Sequence, residues 1–288
     1  MMSEKTMQTS ISAMTPAEAE LMMEQVRQEG WNPGIRDAVT FNKVNPNGLL
    51  CSHIGGKPIG FSSVMIYDQH YAFFGLYLVY KEFRGQGHGM EMTRRCLSLA
   101  GKRCIGLDGV TNNINMYAKI GFRPTYRNLR YLLSRENAPY PQNFDIAITP
   151  ITNVPRHQLC SFDYTYFPAC RSRFLDIWCY QPGATALCAL NDGELVGYIV
   201  VRPCVFGSKV GPLFARTKAA AWELLSAATE SSTRWPLILD IPEPNYRAVN
   251  LASELRMELT GEVVRMHIGT PRSIDMSGVY SVTNLETG

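Results

Sequence analysis

Apolar positions along the chain switch between a helical and a strand period, and the switches mark out its elements. Thr15, Pro16 and Glu18 supply an N-cap, a proline at the first helical position and an acid in the first turn, so they open an amphipathic helix that closes near Gly30. Trp31-Asn32-Pro33-Gly34 then breaks the chain. Strand-like runs at 49–54 and 59–67, parted by Gly55-Gly56-Lys57-Pro58, predict a hairpin. Residues 72–79 are almost wholly apolar or aromatic, as in a strand covered on both faces. After three glycines at alternate positions, Met92, Cys96 and Leu99 recur at helical spacing. A short strand at 103–108, a short helix at 112–119 and closing strands from 122 to 134 complete a mixed α/β unit.

The stretch Glu136-Asn137-Ala138-Pro139-Tyr140-Pro141-Gln142-Asn143 has no periodicity and is rich in proline and amides, which is linker composition. It divides the chain into domains at 1–138 and 144–288. The second half repeats the order of the first. It has a strand at 146–148, a mostly helical stretch at 155–178, and a hairpin at 185–190 and 195–201 turned by Asn191-Asp192-Gly193. An Ala-rich helix at 217–229, a strand at 237–240, a helix at 245–255 and a strand around 262–268 follow, predicting a duplicated fold.

Composition narrows the class without naming a partner. The 288 residues exceed the common single-domain length, and 45% hydrophobic with 18% charged residues describes a folded chain. The net charge of +3 comes without a dense basic run, which argues against nucleic-acid binding. Eight cysteines show no Cys-x-x-Cys pair and none at metal-ligand spacing with histidine, so neither a metal site nor a disulfide framework is expected. Met1-Met2-Ser3-Glu4-Lys5 lacks the apolar core of a signal peptide and no membrane span is evident, so the expected compartment is the cytoplasm.

The candidate chemistry lies where the apolar strand meets the helix, at Arg84-Gly85-Gln86-Gly87-His88-Gly89. Glycines at alternate positions let the backbone turn tightly and aim its amides at one point, and the helix that starts there adds unpaired N–H groups and a positive dipole end. That suits a pyrophosphate. A dinucleotide fingerprint counted from Gly85 fails at Met90, and no Gly-Lys-Ser or Gly-Lys-Thr follows to make a P-loop.

At these positions the sequence resembles the GNAT superfamily of acyl-CoA-dependent N-acyltransferases, whose signature is Arg or Gln, two residues, Gly, one residue, Gly or Ala; Arg84, Gly87 and Gly89 match it. Val79 before the loop, and Tyr117 followed by Gly121-Phe122, extend the match. Trp31-Asn32-Pro33-Gly34, Gly106-Leu107-Asp108-Gly109-Val110 and Arg265-Met266 are similar to the subgroup with two such domains in tandem, the second of YitH/HolE type.

The resemblance implies two α/β domains, each a mostly antiparallel mixed sheet with flanking helices, and acetyl-CoA as cosubstrate without a metal. It implies that Tyr77, Leu78 and Val79 pair with the pantetheine arm, with Gly75 at a strand bulge, and that Gly85 to Gly89 hold the pyrophosphate. Tyr117 is the expected proton donor to the departing thiolate. The strand at 72–79 has no carboxylate, so Asp108 is the first candidate for the base. Trp31 and Asn32 are expected to border the acceptor amine.

The second half's expected loop position, 206–213, lacks the pattern, and its Pro212 removes a donor. This copy is expected to bind no cofactor and either to wall the acceptor site or to form a homodimer. The alternatives are an acyl-CoA-binding module without turnover and an interaction protein that kept the fold.

Overall fold

The computed structural model describes residues 9–142 and 144–288; Asn143 of the linker and the stretch 1–8, with its expected lack of a signal peptide, lie outside the described residues. The chain runs β1 (Thr9–Ala13), α1 (Pro16–Gln28), α2 (Asp37–Val44), β2 (Leu49–Ile54), β3 (Lys57–Ile66), β4 (Tyr71–Val79), α3 (His88–Ala100), β5 (Cys104–Val110), α4 (Ile114–Ile120) and β6 (Arg123–Leu133). It continues with β7 (Ala147–Pro150), α5 (Arg156–Tyr166), α6 (Ser172–Trp178), β8 (Thr185–Asn191), β9 (Glu194–Pro203), β10 (Ser208–Ala215), α7 (Lys218–Ser231), β11 (Leu237–Pro242), α8 (Tyr246–Glu254), β12 (Glu258–Ile268) and β13 (Val279–Ser281).

Local signals act as expected at several ends. Thr15 and Glu18 close a capping box on α1, and Asp192 and Gly193 both take positive φ in the β8–β9 turn, where strand twist favours that conformation. Four elements depart from the sequence reading, β13 among them, since no strand was expected after 262–268. α2 and β1 were not anticipated, and 206–213 is largely strand β10, not a loop. The connection from β10 to α7 is only Arg216-Thr217.

Instead of two separate sheets there is one, in the order β1-β2-β3-β4-β5-β12-β6-β11-β10-β9-β8-β7, with β13 added beside β10. The halves exchange strands: β12 of the second lies between β5 and β6 of the first, and β6 pairs with β11 of the second. Packing accounts for the exchange. Val264 and Met266 of β12 join the core beneath α3 and α4, while Leu133 of β6 is buried in the core beneath α7 and α8. A third core is shared by both halves and joins Phe41, Phe61 and Phe73 to Trp178, Tyr198 and Phe214.

Each exchanged strand is also pinned by a two-pronged ion pair. Arg265 of β12 donates from Nε and Nη2 to Asp108 of β5, both at 2.8 Å, and Arg130 of β6 donates to Asp240 of β11 at 2.7 and 2.9 Å. In both cases the partners face each other in register.

Parallel pairing of β4 with β5 covers only Tyr71–Phe73 against Cys104–Gly106, after which the strands diverge. β10 and β11 pair over Ser208–Val210 and Leu237–Leu239 and diverge likewise. The second gap is filled by β13, whose Ser281 and Val279 pair with Leu213 and Phe214. The segment then continues into the first half, where the Thr287 carbonyl accepts from the Tyr67 hydroxyl at 2.7 Å.

Candidate functional site

The first gap between strands forms the candidate site. Its wall is the far end of β4, where the register against β3 shifts and Leu76 adopts φ 47°. A non-glycine residue held there costs of order 1–3 kcal/mol and persists only where its surroundings impose it. Gly75 is required by a close approach: a Cβ on it would sit 2.1 Å from the carbonyl oxygen of Glu286. Beyond Phe73 the β5-facing edge of β4 has no strand partner among the described residues, so its main chain is available to an extended ligand.

β4 leads into a cleft of about 510 Å³ lined by Tyr77, Leu78, Val79, Arg84, Gly85, Gly87, His88 and Gly89, together with Glu29 and Trp31. Gly85 and Gly87 have φ 76° and 91°, and a Cβ on either would meet nothing within 4 Å. Gly87 caps α3, whose first helical bond runs from Glu91 N to Gly87 O at 3.2 Å; the N–H groups of His88, Gly89 and Met90 are left without helical acceptors. Arg84 fixes the loop by donating to the Val79 carbonyl at 2.8 Å and to Glu29 at 2.7 Å. Gln86 lies outside the lining and donates to the Glu82 carbonyl at 2.9 Å. Gly89 leaves room for Tyr77, whose hydroxyl would lie 2.0 Å from a Cβ there.

The cleft adjoins a deeper cavity of about 200 Å³, with Trp31, Tyr77, Val110 and Asn113 bordering both. Tyr117, projecting from α4, lines the deeper space; it is 7% exposed, and burial raises its phenol above the ordinary range. Asp108 also lines it. Its carboxylate is wholly buried and taken up by Arg265 and by Asn128 Nδ2 at 2.9 Å; burial raises its pKa while the Arg265 guanidinium pulls it down.

Asn32 borders neither space. Its amide donates to the Phe206 carbonyl and accepts from the Phe206 N–H, both at 2.8 Å, so both ends are spent on joining the halves. Of the two residues expected beside the acceptor, Trp31 lines both spaces and Asn32 lines neither.

Sequence reasoning missed Arg130 and Glu286, which line the deeper cavity from β6 and from beyond β13. Their distance along the chain from the glycine loop left no local signal. Glu18, Cys51 and His53 also gather within 4.8 Å of one another, despite the absence of an obvious ligand pattern. Glu18 accepts from Thr15 there and shares a 2.5 Å hydrogen bond with His53, and the group lines neither space.

Residues 46–124 and 159–281 each match an acetyltransferase (GNAT) domain. The chain is 24% identical over 274 residues to holothin acyltransferase of Pseudoalteromonas sp. (strain SANK 73390), covering 94% of this chain and 92% of that one. It is 25% identical over 169 residues to an uncharacterized N-acetyltransferase, YitH, of Bacillus subtilis (strain 168), covering 58% and 59%. A crystal structure of an acetyltransferase candidate from Pyrococcus horikoshii superposes with a TM-score of 0.82 at 26% identity, over 97% of this chain and 96% of the other. The chain belongs to the GNAT acetyltransferases and carries two of their domains in tandem.

Proposed function

We propose that the protein transfers an acetyl group from acetyl-CoA to an amine, by direct attack, at the divergence of β4 and β5. The observation that carries this reading is continuity. An anion-sized opening at the α3 N-terminus runs along an unpaired strand edge into a cavity that holds a buried tyrosine. Arg84 to Gly89 take the pyrophosphate, Tyr77 to Val79 take the pantetheine arm, and a backbone N–H at the bulge polarises the thioester carbonyl. Tyr117, protonated at neutral pH, donates to the departing thiolate as a positioned hydrogen-bond donor.

Asp108 serves to position strands. Asp240, its counterpart in the half without a glycine loop, makes the same paired contact with an arginine, which favours a shared role in the exchange over proton abstraction. The domains are 1–138 and 144–288, each completed by a strand from the other, and the second binds no cofactor because β13 occupies its gap.

Among the described residues no helix is long and apolar enough to cross a membrane, and the cytoplasm is the proposed compartment. Thiol release from acetyl-CoA across a panel of amines tests the function. Calorimetric CoA binding without turnover of any amine would favour an acyl-CoA-binding module instead.

A further inference from the structure

Two buried carboxylates, Asp108 and Glu286, line the deep cavity, a third, Asp240, holds the Arg130 that lines it, and their partners differ. Asp108 and Asp240 each accept two bonds from one guanidinium. Glu286, only 7% exposed, reaches Lys209 Nζ through Oε1 at a long 3.4 Å, and its Oε2 has no hydrogen-bond partner among the described residues. Its main chain is held firmly: its N–H donates to Asn284 Oδ1 at 2.8 Å, and its carbonyl packs on Gly75. An under-bonded carboxylate is costly in such a place unless something else bonds it. Trp31, Phe74, Tyr77 and Tyr117 give the cavity an aromatic lining, which favours a cation, and Arg130, the guanidinium in the same lining, has its charge matched by Asp240.

Resting on the acyltransfer reading above, we infer that Glu286 receives the acceptor's ammonium group and takes its proton, and that the acceptor is a compact primary amine. A space of about 200 Å³ sets the size limit. The ammonium passes one proton to Glu286, and the free nitrogen lone pair forms the C–N bond at the thioester carbon. As the C–S bond breaks, the second nitrogen proton replaces the one that Tyr117 gives to the thiolate. The proton on Glu286 leaves to solvent, so the balance is amide, free CoA thiol and one proton.

Phenethylamine and butylamine are the probes, with acetyl-CoA turnover and with calorimetry on the CoA-loaded protein. Glu286→Gln should lower kcat/KM about 100-fold and weaken amine binding at least about tenfold, leaving CoA affinity unchanged. The double variant Lys209→Gln/Glu286→Gln removes both charges and relieves any unpaired lysine. It should stay as inactive as the single variant, and it substitutes for the single variant if that does not fold. Recovery of turnover in the double variant would mean that Glu286 only pairs with Lys209, and would overturn the inference. Equal amine binding with and without Glu286, or none in the native protein, would overturn it as well. A native protein that binds CoA and amine but turns over nothing would instead sink the proposed function, with the calorimetry still deciding Glu286.

Discussion

Gly87→Val separates binding chemistry from backbone strain. Gly87 has φ 91° and open space around its missing Cβ. A branched side chain there faces a left-handed penalty of about 1–2 kcal/mol and fills the approach to the N–H groups of His88, Gly89 and Met90. If two charge-assisted hydrogen bonds to a phosphate are lost, each worth about 1.5–3 kcal/mol, CoA affinity falls by roughly 3–6 kcal/mol, or about 10²- to 10⁴-fold. Gly193→Val is the matched control, with φ 79° and equally open surroundings in the β8–β9 turn. Both variants should lose similar stability in urea. Only Gly87→Val should lose CoA binding by calorimetry. A folded Gly87→Val protein with native CoA affinity would refute the assignment of the loop.

Tyr117→Phe should lower kcat about 10- to 100-fold with CoA affinity intact; unchanged turnover would make the hydroxyl structural. Arg265→Met should cost about 3–5 kcal/mol in urea titrations by stranding the buried Asp108 carboxylate. Adding Asp108→Asn should restore most of that stability and retain turnover, whereas an inactive but stable double variant would return Asp108 to the chemistry. His267 is pushed down from 6.5 to about 3 by burial and by Arg265. The unfolded chain therefore takes up a proton that the folded one refuses. Stability is full above pH 6.5 and falls toward pH 3, by about 2 kcal/mol from this residue near pH 5; His267→Gln should flatten the pH dependence by that amount. CoA should saturate at about one equivalent per chain, because β13 occupies the second gap; two equivalents would contradict this.

How much of this the sequence disclosed depended on distance along the chain. The glycine loop was legible because its glycines, the preceding apolar strand and the following helix are contiguous, and Tyr117 because the motif Gly121-Phe122 follows it closely. β10 was misread since Gly207, Gly211 and Pro212 look like loop residues, yet Gly211 is required because a Cβ would sit 2.0 Å from the Thr283 carbonyl oxygen. The exchange of β6 and β12 was hidden because nothing local states which neighbour an edge will take. Glu286 lies in a polar stretch without periodicity, so only the fold brings it to Gly75. Arg265 and Asp108 were noted as marks of the subgroup, but their bond, 157 residues apart, was not.

The exchanged strands also bear on how the protein is made. As the chain leaves the ribosome, β5 must wait for β12, some 150 residues later, before its free edge is covered. Until then, β5 and β6 present unpaired N–H and C=O groups that can recruit other chains. Contacts of such long separation slow folding. A fragment ending at the linker would keep the glycine loop but lack Val264, Met266 and Arg265, and it should aggregate when expressed alone. Co-expressing the two halves as separate polypeptides should yield a soluble complex only when both are present, as expected if the two domains form a single unit of folding.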